Sequence, residues 1–212
     1  VKLILNPSAS HFAFGKADFR KKLVVDSSSE FNCTYLYTNL LGNEAGRMIY
    51  DGDVMIAQQG EMLAQNRRLS FKSMNLLSTE VDLDNPAASV HSVKEDWQGS
   101  TEEFGRAAAL ALFDYKRKSR SQGFVLSLSG GADSSSIAVL VAESVRHGLA
   151  ELGLNDLVDR YNISGKVDIA AIESLPTTEV RRILVGCILH TAYQGTKNSS
   201  DDTFNSAKQL AE

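Results

Sequence analysis

The sequence predicts an α/β protein in two parts joined by a polar linker, and three observations carry that prediction. An apolar run, Phe124-Val125-Leu126-Ser127-Leu128, leads into Ser129-Gly130-Gly131-Ala132-Asp133-Ser134 and then into apolar residues at helical spacing, which makes a strand–turn–helix unit. Upstream, short apolar or alternating runs recur at 2–5, 34–41, 47–51 and 54–58 around one mixed helical segment. Between these regions the chain turns mostly polar over 84–101, and Asp84-Asn85-Pro86 breaks regular structure there. This places one domain at 1–90 and a second at 91–212.

The elements follow in order. Residues 2–5 precede Asn6-Pro7-Ser8 and predict a buried strand. Residues 16–31 predict an amphipathic helix with Phe19, Leu23, Val24 and Phe31 on its apolar side. Residues 34–41 are β-branched, aromatic and alternating, which predicts a strand closed by a turn at Gly42-Asn43. Asp51-Gly52 between two apolar runs predicts a hairpin of 47–51 with 54–58. Gln59-Gly60 then turns the chain into Glu61-Met62-Leu63-Ala64, and 74–83 predicts a further strand. Thr101 ahead of Glu102 and Glu103 predicts a capped helix over 102–118. A strand at 124–128 and a helix at 135–146 follow, with 148–178 irregular. A helix from Val180 leads into a strand near 188–192. The polar turn Thr196-Lys197-Asn198-Ser199-Ser200-Asp201-Asp202 starts a last helix.

Composition excludes several classes. With 22 Lys plus Arg against 26 Asp plus Glu, the net charge is −4, unlike that of a basic nucleic-acid binder. No apolar run approaches the ~20 residues needed to span a bilayer. The cysteines Cys33 and Cys187 lie far apart, which excludes a disulfide scaffold and a Cys-rich zinc site. The expectation is a soluble cytoplasmic protein with no nucleic-acid or membrane partner. The chain opens with Val inside a strand and ends within a helix, which predicts a piece of a longer chain. His11, His91, His147 and His190 have no metal-ligand spacing, and Lys116-Arg117-Lys118 with Arg120 reads as a solvated helix end.

The candidate site is the loop at 129–134. Two glycines permit a tight turn and a close backbone approach to an anion. The helix after them aims N–H groups and the positive end of its dipole at the same point. Ser129, Ser134 and Ser135 add hydroxyl donors. The loop has no Lys, so its ligand is a pyrophosphate held by backbone and hydroxyls. Asp133 either helps to hold Mg2+ against phosphate oxygens or caps the helix.

This hexapeptide resembles the SGGxDS signature of the ATP pyrophosphatases, which split ATP to AMP and pyrophosphate to activate a substrate oxygen. The flanks, Phe113-Asp114-Tyr115-Lys116-Arg117-Lys118-Ser119 with Gly123 to Leu128, and Lys197-Asn198-Ser199-Ser200-Asp201-Asp202-Thr203, resemble glutamine-dependent NAD synthetases. Asn6-Pro7-Ser8-Ala9-Ser10-His11-Phe12 with Gly15-Lys16 resembles the amidase domain of the same family. The resemblance implies the C-terminal part of a nitrilase-like αββα sandwich, followed by the start of an adenine-nucleotide alpha-hydrolase-like parallel α/β domain. It implies ATP contacts at Ser127, Leu128, Ser129, Gly130, Gly131, Ala132, Asp133, Ser134, Lys197, Ser199 and Ser200, with Asp133 as the Mg2+ ligand. Ser199 and Ser200 also read as an ordinary helix cap. Ser10 and Lys16 are implied to hold glutamine.

The implied activity is ATP-dependent amidation of deamido-NAD to NAD with glutamine as nitrogen donor, in a homo-oligomeric full-length enzyme. The amidase triad of Glu, Lys and Cys precedes the Asn6-Pro7-Ser8 segment in the family, so no catalytic residue is expected in this chain. Cys33 reads as a small buried hydrophobe, and the deamido-NAD contacts are expected past Glu212. The alternatives are another SGGxDS enzyme such as GMP synthetase, or a catalytically inactive nucleotide-binding module.

Overall fold

The computed structural model describes residues 1–44, 46–84, the backbone of 91 and 92, 99–197 and 199–212. It divides into two units, 1–111 and 112–212. The expected linker over 84–101 falls largely outside the described residues, and the division itself lies further along, within a helix.

Unit 1 begins with β1 (Leu3–Ser8), α1 (Lys16–Glu30) and β2 (Thr34–Asn39). Then come β3 (Leu41–Glu44), β4 (Met48–Asp51), β5 (Val54–Gln58), β6 (Glu61–Gln65) and β7 (His91–Ser92). Five of these strands form one sheet in the order β1-β2-β5-β6-β7. The β1–β2 pair is parallel, with Leu3 opposite Thr34, whereas β2–β5 and β5–β6 are antiparallel. Val24 of α1 packs against Tyr35, Tyr37, Met55 and Ala57, with Ile4, Val25 and Met62 at the edge of the cluster. Cys33 is buried and free, as expected of a small hydrophobe, and Cys187 is also a free thiol.

Five local expectations are corrected in unit 1. β1 is not a buried strand: it lies at the end of the sheet order, with Leu3 and Leu5 exposed. Of the apolar residues assigned to α1's inner face, Phe19, Leu23 and Phe31 are exposed; the buried stripe is Arg20, Val24 and Ser28, at i, i+4 and i+8. Arg20 can be buried because acidic groups meet it, and the Ser28 hydroxyl donates to the Val25 carbonyl and accepts from the Gly60 N–H. Asp51-Gly52 is not a hairpin turn: β4 pairs with β3, and β5 pairs with β2 and β6. The dipeptide carries the chain from the two-stranded β3–β4 sheet into the larger one, with both flanking carboxylates buried. Gly52 has φ +65°, and a Cβ there would sit 2.7 Å from Leu41 Cδ1, so this crossing needs glycine. Gly42-Asn43 lies inside β3, opposite Tyr50 and Ile49, because the reversal comes between Glu44 and Met48. Residues 74–83 form no strand; Met74 and Leu76 are exposed, and the Asp82 carbonyl accepts from the Gln58 side chain rather than from a neighbouring strand.

The helix α2 (Gly99–Ser119) starts ahead of the expected Thr101 cap and gives its two halves to the two units. In its first half Arg106 Nε donates to the Leu69 carbonyl at 3.0 Å, and Glu103 pairs with Arg68 at 2.8 Å.

Unit 2 continues with β8 (Phe124–Ser127), α3 (Ala132–Arg160), α4 (Ile169–Ile172), α5 (Thr177–Ile188), β9 (Leu189–Ala192) and α6 (Asp201–Ala211). The stretch expected to be irregular from 148 is helical to Arg160, broken only at Gly153 (φ 77°, ψ 175°), and α4 follows it. β8 and β9 are parallel, from Phe124 opposite Leu189 to Ser127 opposite Ala192. This is the strand–helix–strand arrangement in which ligands settle beyond the carboxyl ends of the strands. Phe113 and Tyr161 meet edge to face at 5.3 Å in its core, and the Tyr161 hydroxyl is 2.7 Å from Ser144 Oγ. Burial pushes the Tyr161 phenol well above its usual range. Among the described residues, no helix is long and apolar enough to cross a membrane.

Candidate functional site

The loop at 129–134 begins where β8 ends. Leu128 extends the pairing by donating its N–H to the Ala192 carbonyl at 2.9 Å and is itself buried. The backbone then turns through Gly130 at φ +77°. A Cβ there would lie 3.2 Å from the Thr203 carbonyl carbon and 3.3 Å from Ser206 Cβ. Glycine therefore lets the loop lie directly against the first turns of α6.

Gly131 is the N-cap of α3 and offers no side chain to the helix. The N–H groups of Ala132, Asp133 and Ser134 open that helix and have no acceptor within it. They are positioned for an anion. Ser134 holds the loop from below: its hydroxyl donates to the Gly131 carbonyl at 3.2 Å, accepts from the Ser129 N–H at 3.2 Å and lies 3.1 Å from Ser129 Oγ. Ser127, Ser129, Gly131, Ala132 and Asp133 stand exposed around it. Asp133 sits in the first turn of α3, not at its cap, so the capping alternative does not hold; its charge still favours the positive helix end.

The second predicted segment reaches the same end of the β8–β9 pair. Ser199 Oγ accepts from the Thr196 N–H at 2.8 Å, which closes the turn before α6. Ser200 is the N-cap of α6, accepting from the Thr203 N–H at 3.3 Å. Lys197 is exposed in the same loop. Sequence reasoning missed Tyr193, which with Thr203 fastens α6 to the end of β9: their hydroxyls are 3.1 Å apart, and the Tyr193 ring meets Phe204 edge to face at 5.3 Å. Among the described residues no group of three or more His, Cys, Asp or Glu could hold a metal ion. An exposed lone Asp133 fits Mg2+ only as a partial ligand, with phosphate oxygens and water completing the shell.

In unit 1, Arg20 reaches Ser10 and shares a helix with Lys16. The Arg20 Nη1 points at Ser10 Oγ at 3.5 Å, and Arg20 lies one turn after Lys16 on the same face of α1. Arg20 pairs with Asp51 and lies 3.5 Å from Asp53 Oδ2; Arg68 lies 3.6 Å from Asp51. From sequence Asp51 and Asp53 read only as part of a turn, and Arg20 is not read as a site residue. The only available signal was two carboxylates flanking a glycine, which reads first as a turn.

No family model matches the chain. Over the whole chain it is 31% identical, across 251 residues, to the glutamine-dependent NAD(+) synthetase of Oryza sativa subsp. indica, and 32% identical across 255 residues to that of Homo sapiens. The crystal structure of a glutamine-dependent NAD(+) synthetase from Cytophaga hutchinsonii superposes with a TM-score of 0.88 at 51% identity, over 99% of this chain and 34% of that one. This chain is homologous to glutamine-dependent NAD(+) synthetases along its whole length. It spans about a third of the length of the relatives it matches. The Acinetobacter baumannii synthetase, solved in complex with ADP, shares the fold at a TM-score of 0.63 and 22% identity, over 91% of this chain and 34% of that one.

Within the homologous segment, Asp53 has an environment that predicts a pH effect. Burial is the main reason its carboxyl is held above the usual aspartate range, and the neighbouring Asp51 charge adds to it; the Gln65 amide, Arg20 and Arg68 oppose both. A raised acid pKa means that the folded state holds the proton more tightly than the unfolded state. Stability therefore falls as pH rises from the ordinary value of 3.8 through the raised one. Urea unfolding over that window should show this decline in the parent, and Asp53→Asn should flatten it.

Proposed function

We propose that this chain is the central segment of a glutamine-dependent NAD(+) synthetase. In this reading, residues 1–90 are the C-terminal part of a nitrilase-like amidase domain and 91–212 the first part of an ATP-pyrophosphatase-type synthetase domain. The complete enzyme hydrolyses glutamine, adenylates the carboxylate of deamido-NAD with ATP, and lets ammonia displace AMP to give NAD. It acts on small molecules in the cytoplasm, as a homo-oligomer. The observation that carries the reading is the whole-length homology joined to the loop at the carboxyl ends of β8 and β9. The NAD synthetase names of the relatives weigh against GMP synthetase.

Each residue then has a physical task. The N–H groups of Ala132, Asp133 and Ser134 and the hydroxyl of Ser129 receive the pyrophosphate end of ATP, stabilising the leaving group by preorganised dipoles rather than by covalent chemistry. Ser127, Leu128, Gly130 and Gly131 supply backbone that a phosphate can approach closely. Lys197, Ser199 and Ser200 contribute a cation and hydroxyls at the start of α6. Asp133 is a ligand for Mg2+, which when bound neutralises charge on the phosphates. Ser10 and Lys16 hold glutamine, the lysine through its α-carboxylate.

Calorimetric titration with ATP and Mg2+ tests the nucleotide half. Gly131 has φ −84° and ψ 166°, a conformation suited to aspartate as an N-cap, so Gly131→Asp keeps the helix while adding a carboxylate where the phosphate is to sit. The parent should bind, and the variant should lose binding without losing stability. Equal binding by both would remove the loop from the nucleotide site.

A further inference from the structure

Asn39 closes β2 and is 9% exposed. Its side-chain oxygen accepts from the Ser10 N–H at 2.8 Å. Its amide nitrogen donates to the Ser10 carbonyl at 2.9 Å and to Asp51 Oδ1 at 2.7 Å. The flipped orientation would oppose two donors at the Ser10 N–H and two acceptors at both the Ser10 carbonyl and Asp51, so chemistry fixes the amide as found. Asp51 pairs with Arg20, and Arg20 returns to Ser10 Oγ at 3.5 Å. Four residues from the β1–α1 loop, β2, β4 and α1 thus close a ring. The Asn39 amide grips both polar groups of the Ser10 backbone, as a neighbouring strand would, just past the last residue of β1 that pairs with β2. Arg20 ties the same ring to the helix that carries Lys16.

We infer that Asn39 is a positioning residue for the glutamine subsite: it pins Ser10 through its backbone, and the Asp51–Arg20 pair attached to it sets the placement of α1 and Lys16. The inference rests on the glutamine reading above. Asn39 acts through Ser10 and does not itself meet the substrate, because its polar atoms are committed to Ser10 and Asp51.

Two readouts on the chain test this: hydrogen exchange at the Ser10 amide, and titration with L-glutamine followed by amide NMR shifts. In Asn39→Ala the Ser10 amide should exchange at least about tenfold faster, since its acceptor is gone. The core amides of Val24 and Met55 should keep their protection. The glutamine dissociation constant should rise about tenfold, as expected for a subsite loosened by a fraction of an ångström. Asn39→Ser should give the same pattern in a smaller side chain that keeps a buried hydroxyl, and it serves if the alanine variant unfolds. Gln65→Ala is the control, because Gln65 bonds Asp53 at 3.2 Å and does not touch Ser10; it should leave both readouts unchanged.

Unchanged Ser10 exchange and glutamine affinity in the Asn39 variants would overturn the inference. So would a Gln65→Ala effect equal to theirs, which would mean general loosening. If the parent and Ser10→Ala respond alike to glutamine, the glutamine reading itself fails, and the exchange data still decide whether Asn39 pins Ser10.

Discussion

Arg20→Met should destabilise unit 1 by about 3–5 kcal/mol, the cost of leaving buried carboxylates without their cation. Arg20 is 5% exposed, and Asp51 and Asp53 are 1% and 0% exposed, so water cannot replace the lost guanidinium. Methionine preserves much of the stem's volume, which confines the loss to charge and hydrogen bonding. Asp51 would retain Arg68 at 3.6 Å, whereas Asp53 would keep chiefly the Gln65 amide at 3.2 Å. Asp53, already held above the usual aspartate range, would be pushed higher. Its ionised form is then penalised in the folded state, so the deficit should be larger at pH 8 than at pH 5. Adding Asp53→Asn should recover part of the loss at pH 8. Urea unfolding followed by circular dichroism, at both pH values, measures all three quantities. An equal deficit at both pH values would mean that Asp53 does not depend on Arg20.

The same cluster marks the limit of what the sequence discloses. The strand, loop and helix around Ser129 to Ser134 are legible because each element is local: an apolar run, paired glycines and a helical apolar repeat lie within about twenty residues. The cap at Ser200 is local as well. Unit 1 was misread where the decisive interactions are long-range. Asp51-Gly52 has the local chemistry of a hairpin, but Asp51 is met by Arg20, thirty-one residues away, and by Asn39. That pairing is worth more than a turn preference, so tertiary contacts override it. The burial of Arg20 is invisible for the same reason: helical periodicity counts a charge as polar and cannot see its partner. The approach of α6 to Gly130 joins residues more than seventy positions apart, and nothing in either segment announces it.

That approach separates the two glycines of the loop, and Gly130→Ala should be the most damaging single-methyl change in unit 2. At φ +77° an L-residue is strained by about 1–2 kcal/mol, and the new methyl group would crowd the Thr203 carbonyl and Ser206. Backbone carbonyls cannot swing aside as side-chain tips do, so the loop or the start of α6 must move. Either shift moves the first-turn amides of α3 relative to Ser199 and Ser200, the groups proposed to contact ATP. Binding of ATP with Mg2+ should therefore fall below detection in the calorimeter. Gly131→Ala provides the contrast: its φ of −84° suits any residue, and its methyl would meet only Ser129 Oγ, at 3.4 Å. Its stability should stay within about 0.5 kcal/mol of the parent. Thermal unfolding and ATP titration of the two variants side by side give the measurement. If Gly130→Ala bound ATP as the parent does, the contact between the loop and α6 would have no part in nucleotide binding.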